Sequence, residues 1–515
     1  MSSKFSGTAE SSAAVAAAPS MSVASPWFFM RKVISFPALM AVLLTGVALL
    51  SAESRLIDPD TWWHVKVGEQ ILASHVLPTT DMYSFTAAGT AWMAYEWLGE
   101  VLLALAARAG GLWGLLIFQR VIVVIVAGLL YYLGYVRSGN AKAGCIAAAI
   151  VLPIAPVAFT LRPQMIGYVY LLVTVICLEH FRNGWSKALW ILPPLFVLWV
   201  NTHGTFVFGL FVIGLYWVAG LFKFKIGGLV AEGMDQRRRV QLLLTFAMCL
   251  LALPVTPYGS KLAAYPIEMA TAQPLNIANI QEWQPLSLGN PVGVYLLIFA
   301  MGLFVAQVTL RLSYRLVDMI LLLFVMYAAC AHLRFAMLFV IFLTPVVAEI
   351  FARWTPPYDR SKDRYVLNFA LIVFAVAALV KLQPTRQDLD ALVSKDYPVS
   401  AVAYLRNHPY PTGMFNEYGW GGYLIWQLGP EHKVFIDGRA DVYEYSGVLP
   451  DYMVIAGAQA DALRTLARRD VSSCLVNRAG ALAALLAANG WQEVYSDELA
   501  GIFVNPAKRA ERPGR

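Results

Sequence analysis

Residues 57–72 read IDPDTWWHVKVGEQIL and place two carboxylates and an imidazole within one short segment. Asp58, Asp60 and His64 are residue types that bind Mn²⁺ or Zn²⁺, so they could share a divalent cation. Alternatively, one carboxylate acts as a general base on an acceptor hydroxyl without any metal. A structural interpretation is also open, in which the aspartates cap a helix and Trp62 and Trp63 anchor it at a membrane interface.

Apolar side chains dominate the rest of the chain. Hydrophobic residues make up 59% of the 515 positions, charged residues make up 14%, and the mean hydropathy is +0.60. These values exclude an ordinary soluble domain. The formal charge of +7 comes mostly from short Lys/Arg clusters between apolar segments, which follows the positive-inside rule and argues against nucleic-acid binding. The five cysteines have no CxxC spacing, so no thiolate metal site is indicated.

Apolar segments of transmembrane length recur along residues 31–383. Residues 1–30 predict a disordered cytoplasmic tail, residues 33–52 predict a retained anchor, and residues 53–95 predict a first external loop. Further apolar segments lie near 113–136, 143–160, 163–181, 187–200, 205–222, 241–256, 291–310, 316–331, 335–352 and 365–383. The sequence therefore predicts a polytopic α-helical membrane protein with about eleven transmembrane helices, within a range of roughly 10–13.

Two further segments complete the predicted topology. Residues 96–109 could span the membrane or lie on its outer surface, and the second interpretation keeps the Lys/Arg clusters in the cytoplasm. Residues 384–515 alternate helical patterns such as VSAVAYLRNH with short apolar runs such as KVFID and VSSCLV, which predicts an extracytoplasmic α/β domain. We expect a bacterial inner-membrane protein with a cytoplasmic N-terminus and a periplasmic or extracellular C-terminal domain.

The predicted topology gathers the polar motifs at one membrane face. Turns with the sequences LRPQ, NTHG and HLR, the first loop and the loop 257–290 all fall outside. Polar residues with purely structural roles need not collect at one membrane face. The polar residues at this face are Asp58, Asp60, His64, Asp81, Arg162, Asn201, His203, Glu282, His332 and Arg334.

Arginines in apolar surroundings require a partner, because an unpaired charge in a transmembrane helix costs roughly 2.5–3.5 kcal/mol. Arg120 and Arg334 lie in such surroundings, and Arg162 precedes a Pro-Gln pair at the outer face. A phosphate or pyrophosphate on a lipid carrier, held by guanidinium groups, is one partner. A buried carboxylate such as Glu96 or Glu100 is the other.

The remaining candidate site residues are supported only by their position in the predicted topology. His203 and His332 could act as ligands or as acid/base groups, or could simply be hydrogen-bonded structural residues. Asp81 and Glu282 could contact substrate, and Glu282 lies in a loop long enough to cover a site. In the C-terminal segment, NEYGWGGYLIW and FIDGRADVY suit saccharide binding and equally suit tight docking on the membrane domain.

This arrangement resembles the GT-C class of glycosyltransferases, which includes oligosaccharyltransferase catalytic subunits, protein mannosyltransferases and aminoarabinose transferases. The specific match is IDPDTWWHVKVGEQIL, which looks like the first-loop segment of those enzymes. The WWDYG motif of oligosaccharyltransferases is absent, and Asp-Pro-Asp stands where mannosyltransferases have an acidic dipeptide. The resemblance therefore implies a class and not a particular member.

The resemblance implies transfer of a sugar from a polyprenyl phosphate or pyrophosphate carrier to an external saccharide, lipid or protein acceptor. It places the catalytic base or metal ligand at Asp58, with Asp60 and His64 beside it, and implies Mn²⁺ or Mg²⁺ ahead of Zn²⁺ if a metal is used. Arg162 and Arg334 would bind the carrier phosphate, with His203, His332, Asp81, Glu282 and Arg120 as further substrate contacts. A transporter or flippase of a lipid-linked substrate, or a non-catalytic glycan-assembly protein, is the alternative. Membrane lipids are expected partners, and nucleic acid is not.

Overall fold

Helices dominate the computed structural model, which describes residues 26–52, 58–279, 283–408 and 413–507. Its helices are α1 Pro26–Val33, α2 Phe36–Ser51, α3 Pro59–Ser74, α4 Trp97–Gly110, α5 Leu112–Ser138, α6 Ala141–Val151, α7 Gln164–Arg182, α8 Leu192–Thr202, α9 Phe206–Ala219, α10 Gln236–Ala252, α11 Ser260–Ala272, α12 Pro274–Asn279, α13 Pro291–Leu310, α14 Leu316–Ala331, α15 Ala336–Ala352, α16 Tyr365–Lys381, α17 Arg386–Asp396, α18 Val399–Asn407, α19 Tyr418–Leu428, α20 Ala440–Tyr445, α21 Val448–Ala456, α22 Ala462–Arg468 and α23 Ala481–Ala488. Its strands are β1 Lys223–Ile226, β2 Leu229–Glu232, β3 Tyr314–Arg315, β4 Met414–Asn416, β5 Ser473–Asn477, β6 Gln492–Ser496 and β7 Ala500–Val504.

Several helices have the length and composition of membrane spans. Within the described ranges, 5 helices pass this test, counting α6 and α15 with the short 3-10 turns that adjoin them, and α16 with α17 makes a sixth if that pair, bent by 52°, is one span. The helices α2, α9 and α14 are apolar but shorter. A helix lies in every apolar segment that the sequence indicated, while the total of about eleven spans stays a prediction.

The predicted disordered tail requires a correction at its end. Residues 1–25 lie outside the described part of the chain, but α1 begins at Pro26, inside the segment expected to be disordered. Proline suits the first helical position because its φ angle is already helical and its missing N–H has no intrahelical role there. Arg31 and Lys32 lie in the last turn, where cations favour the negative end of the helix dipole.

The helix α15 forms the centre of the membrane bundle. It is buried on nearly every face, as expected of a helix that is apolar all round, and it packs against α5, α6 and α14. At the C-terminal end of α5, the buried Arg137 forms an ion-pair cluster with the buried Glu179 and Asp318 and the partly exposed Glu349, which lie on α7, α14 and α15. These shared carboxylates satisfy a charge that would otherwise be costly among apolar helices.

The C-terminal segment forms a small α/β unit. Its sheet has the order β4-β5-β7-β6, with β4 and β5 parallel and the other pairs antiparallel. The apolar run KVFID does not join this sheet, because Val434 exchanges backbone hydrogen bonds with Tyr83 and Phe85 of the first loop. This run therefore connects the C-terminal unit to the loop that carries the Asp-Pro-Asp segment.

Close packing of α19 on α3 fixes that connection. A Cβ atom on Gly422 would overlap the carbonyl oxygen of Pro59, and a Cβ on Gly438 would overlap the carboxylate of Asp60. Trp62 is fully buried and stacks on Trp426 at 4.9 Å between ring centroids. The expectation that Trp62 and Trp63 anchor a membrane interface is therefore wrong, because both indoles are buried in the contact between the first loop and the C-terminal unit.

Candidate functional site

A cavity of about 850 Å³ lies where the first loop, the predicted outer turns of the bundle, α11, α12 and the C-terminal unit meet. Its size is that of a small-molecule site. Residues from segments far apart in the sequence share its wall, which the predicted topology anticipated. The sequence-predicted residues that line it are Asp58, Asp60, His64, Arg162, His203, His332 and Arg334.

The N-terminus of α3 presents the two aspartates to this cavity. Asp58 caps the helix by accepting a hydrogen bond from the backbone N–H of Asp60 at 3.0 Å, and Pro59 occupies the first turn. Asp60 accepts a hydrogen bond from the indole Nε1 of Trp63 at 3.1 Å. The capping interpretation is confirmed for Asp58, but it does not exclude chemistry, because a carboxylate has four acceptor positions.

Arg162 joins the two aspartates. Its Nε lies 2.6 Å from Oδ2 of Asp58, and its Nη1 lies 3.0 Å from Oδ2 of Asp60. All three side chains are mostly buried, so these charge-assisted hydrogen bonds form in surroundings of low dielectric constant. The guanidinium predicted to bind a phosphate is thus engaged by carboxylates, and it fixes their orientation toward the cavity.

A second polar cluster, which the sequence interpretation missed, surrounds Glu96. His64 Nε2 lies 3.5 Å from one oxygen of Glu96, and His203 Nε2 lies 3.3 Å from the other. His203 Nδ1 accepts from the backbone N–H of Thr205 at 3.0 Å, so its proton is on Nε2 and points to Glu96. His64 also contacts Glu100 through Nδ1 at 3.3 Å.

Burial dominates the protonation of this cluster. It raises the pKa of Glu96 to about 8, against the opposing fields of Arg162 and Arg334. It lowers the pKa of His203 to about 3 and that of His64 well below its ordinary value, so both imidazoles are neutral at physiological pH. The sequence signal was the pair of carboxylates four residues apart in the otherwise apolar EWLGEVLLALAARA, which places both on one helix face.

The stability of the protein should fall between pH 6.5 and 8, and Glu96→Gln should reduce this slope but not abolish it, because burial also raises the pKa of Glu100. The folded protein keeps a proton on Glu96 up to a pKa of about 8, while the unfolded chain releases it above about 4.5. Rising pH therefore favours unfolding, by on the order of 2 kcal/mol across this window. Below pH 6.5 the lowered pKa of His203 has the opposite effect, and stability should rise with pH. The unfolded chain binds a proton on this imidazole there, while the folded protein keeps it neutral.

The measurement is the apparent melting temperature in detergent from pH 6.5 to 8.5. The exposed Glu431→Gln removes a carboxylate outside the cavity and serves as the control. Equal slopes for wild type and Glu96→Gln would contradict the raised pKa.

Arg334 also lines the cavity, from the turn before α15. Its guanidinium lies 4.1 Å from the centroid of the Trp283 ring, a cation–π contact. His332 donates from Nδ1 to the carbonyl of Trp283 at 2.5 Å, which holds the turn and the indole together. No carboxylate among the described residues lies within ion-pair distance of this guanidinium.

Two other predicted contacts, Asp81 and Arg120, do not line the described cavity. Asp81 is buried in an ion pair with Arg439 at 2.7 Å and holds the first loop to the C-terminal unit. Arg120 donates to the backbone carbonyls of Leu49 and Ala52 at the end of α2, where helix carbonyls lack intrahelical partners. Glu282 lies outside the described residues.

Some residues of the two C-terminal motifs hold the C-terminal unit to the first loop, and others line the cavity. Arg439 pairs with Asp437 as well as Asp81 and is fully buried, so its role is structural. In contrast, Asp441 and Tyr418 line the cavity. Tyr265 of α11 donates to Asp441 at 3.0 Å and stacks on Tyr95 with 4.3 Å between centroids, which places aromatic faces and a carboxylate on this wall.

The predicted metal site is not present in this arrangement. Asp58 and Asp60 both face Arg162, whereas His64 faces Glu96 and Glu100. Across residues 26–52, 58–279, 283–408 and 413–507, no group of three or more His, Cys, Asp or Glu side chains could hold a metal ion. The donor set of Asp58, Asp60 and His64 therefore does not fit Mn²⁺, Mg²⁺ or Zn²⁺ here.

No protein-family model matches the chain, and no curated protein matches it either. Solved structures, in contrast, match most of the chain. The apo oligosaccharyltransferase of Archaeoglobus fulgidus aligns over 87% of this chain and 70% of its own with 12% identity and a TM-score of 0.53. The same enzyme tethered to an acceptor peptide with an NVT sequon aligns over 87% and 69% with 13% identity and a TM-score of 0.51.

ArnT from Cupriavidus metallidurans in the apo state aligns over 91% of this chain and 97% of its own, with 14% identity and a TM-score of 0.51. At such identities the likeness concerns the fold and not the activity. The resemblance noted in the first-loop segment is confirmed at that level, and the chain has a GT-C-like fold.

Proposed function

We propose that this protein transfers a sugar from a polyprenyl-linked phosphate carrier to an acceptor on the outer side of a bacterial inner membrane. The observation that carries the proposal is the cavity itself, whose wall includes oriented carboxylates together with a guanidinium that has no carboxylate within ion-pair distance among the described residues. Support also comes from the fold, since structures with the same fold belong to an oligosaccharyltransferase and to ArnT.

The proposed chemistry is a direct displacement at the anomeric carbon. Asp58 accepts the proton of the acceptor hydroxyl as its oxygen bonds to that carbon. On the opposite face the bond from the anomeric carbon to the phosphate oxygen breaks, and its electron pair leaves with the lipid phosphate. Arg334 stabilises the charge that develops there. This displacement inverts the configuration of the sugar.

Other residues have supporting roles in this proposal. Arg162 holds Asp58 and Asp60 in position, and Asp60 helps to orient the acceptor. The aromatic wall of Tyr95 and Tyr265, with Asp441, suits a saccharide, because rings stack on sugar faces and carboxylates accept hydroxyl protons. No step is assigned to a metal, because the donor set does not fit one.

The test is a transfer assay with the purified full-length protein in proteoliposomes. The donors are radiolabelled sugars on undecaprenyl phosphate and on undecaprenyl pyrophosphate, with lipid, saccharide and peptide acceptors, each with and without EDTA. We expect acceptor-dependent release of lipid phosphate that EDTA leaves unchanged. Movement of intact lipid-linked sugar between leaflets without bond cleavage would instead identify a flippase and overturn the proposal.

A further inference from the structure

An apolar groove of about 640 Å³ lies between α4, α5 and the first turn of α17. It shares no described lining residue with the cavity of the candidate site. Gly110, at the end of α4, lines the groove, whereas Glu96, just before α4, lines the cavity. The length of α4 separates these two positions, which is roughly 20 Å along a helix. The groove is therefore a separate feature of the molecule.

Small residues on α4 and large apolar residues on α5 form the walls of this groove. Gly114 brings the two helices together, because a Cβ atom there would overlap the carbonyl oxygen of Ala106. Trp113, Ile117 and Val121 recur every fourth residue, so they lie on one face of α5 over roughly 12 Å. Ile117 and Val121 are 53% and 49% exposed. Since α5 has the length and composition of a membrane span, this exposed face suits the acyl chain of a lipid.

Arg386 is the charged residue among the described lining residues of the groove. It is exposed in the first turn of α17, a helix that packs against α5. Asp390, one turn further on, has the usual spacing of an ion-pair partner, while Asp388 is bonded to Thr385 in the capping box. No carboxylate of the described residues lies within ion-pair distance of Arg386. Its guanidinium is thus available to an anionic ligand.

The predicted topology places this guanidinium at the outer boundary of the membrane. The helix α16 is predicted to run outward and ends at Lys381, and α17 follows after a bend of 52°. Trp113 lies in the first turn of α5, at the level where indoles are enriched in membrane proteins. A cation beside an apolar groove at this level is complementary to a ligand that combines a negative charge with an apolar chain.

We propose that this groove binds an anionic glycerophospholipid of the outer leaflet, with one acyl chain along α5 and its phosphate against Arg386. Guanidinium groups bind phosphate oxygens through paired, charge-assisted hydrogen bonds. The bound lipid contacts α4 and α5 as well as α17, so it strengthens the connection between the bundle and the C-terminal segment. This proposal does not depend on the transferase function, because the groove is remote from the candidate site.

Quenching of Trp113 by lipids with brominated acyl chains tests the proposal. The full-length protein is reconstituted in phosphatidylcholine vesicles that contain a small fraction of brominated phosphatidylglycerol or brominated phosphatidylcholine with identical chains. The quenching that is lost in Trp113→Phe reports this groove. Phosphatidylglycerol should reach half-maximal quenching at about fivefold lower mole fraction, the effect of one cation near an anionic lipid.

Two variants of α17 assign this preference to one side chain. Arg386→Gln should abolish it, and Arg386→Lys should keep part of it. Lys395→Gln removes an exposed cation from the same helix outside the groove and should leave the preference unchanged.

Three outcomes would overturn the proposal. The first is equal quenching by the two lipids, or a preference that survives in a folded Arg386→Gln protein. The second is reversal of the quenching by water-soluble glycerol phosphate, which would show that the site takes a free phosphate and not a lipid. The third is reversal by less undecaprenyl phosphate than unlabelled phosphatidylglycerol, which would make the groove a carrier site. None of these measurements uses sugar transfer, so their result is separate from that of the transfer assay.

Discussion

Replacing Asp58 by Asn is expected to slow sugar transfer by about 10²–10⁴-fold, the usual contribution of a general base. The amide keeps an oxygen that can cap α3 and accept from the backbone N–H of Asp60, as Asp58 does now, but it cannot take a proton. The fold should therefore survive while the chemical step fails. The measurement is the steady-state transfer rate with donor and acceptor at saturation.

Asp461→Asn is the matched control for this variant. It makes the same chemical change at an exposed surface ion pair with Arg464, where loss of the pair costs roughly 1 kcal/mol or less. Its transfer rate should equal that of wild type. A folded Asp58→Asn protein with a wild-type rate would remove Asp58 from the base role.

Replacing Arg439 by Met should destabilise the protein by about 3–5 kcal/mol, because removing one partner of a buried ion pair leaves the other charge uncompensated. Methionine preserves most of the contact with Tyr83 and Trp92, over whose rings the guanidinium lies. Asp81 and Asp437 would remain buried without their cation. The apparent melting temperature and the yield of folded protein in detergent report this change.

A double variant distinguishes lost charge pairing from lost packing. Adding Asp81→Asn to Arg439→Met removes one of the stranded charges, so the double variant should be more stable than Arg439→Met alone. Arg464→Met, at the exposed pair with Asp461, should change the melting temperature little. If Arg439→Met and Arg464→Met were equally mild, the connection between the first loop and the C-terminal unit would not depend on this ion pair.

The sequence predicted which side of the bundle carries the site, because apolar lengths and Lys/Arg positions determine which turns share a membrane face. Turns far apart in the chain, such as those of Arg162, His203 and Arg334, could thus be grouped without any contact information. Of the nine predicted site residues that the structure describes, seven line the cavity.

Long-range pairing could not be predicted in the same way. Asp81 and Arg439 each look like surface or ligand-binding residues in their local sequence, and only the folded chain brings them together as a buried pair. The three residues of the predicted metal site are separated in the structure for a related reason. Spacing permits Asp58, Asp60 and His64 to converge, but Arg162 and Glu96 arrive from other segments and draw these side chains apart. The local sequence around Asp58, Asp60 and His64 does not reveal those competing partners.

The role of Glu96 was missed because Glu96 and Glu100 were considered only as one possible partner for Arg120 or Arg334. Arg120 is instead bound by the backbone carbonyls of Leu49 and Ala52, a partner that side-chain composition does not show. The histidines that surround Glu96 come from α3 and from the turn after α8. Their convergence depends on how the first loop packs on the bundle.

The most direct test of the account is a single-turnover measurement with the labelled sugar donor already bound to the protein in nanodiscs. Acceptor is added in excess, and cleavage of the sugar–phosphate bond is followed for wild type, Asp58→Asn and Asp461→Asn. We predict rapid cleavage in wild type and Asp461→Asn, with bound but uncleaved donor in Asp58→Asn. Cleavage at the wild-type rate in Asp58→Asn, or no cleavage in wild type from a bound donor of any carrier type, would contradict the claim that this cavity catalyses glycosyl transfer.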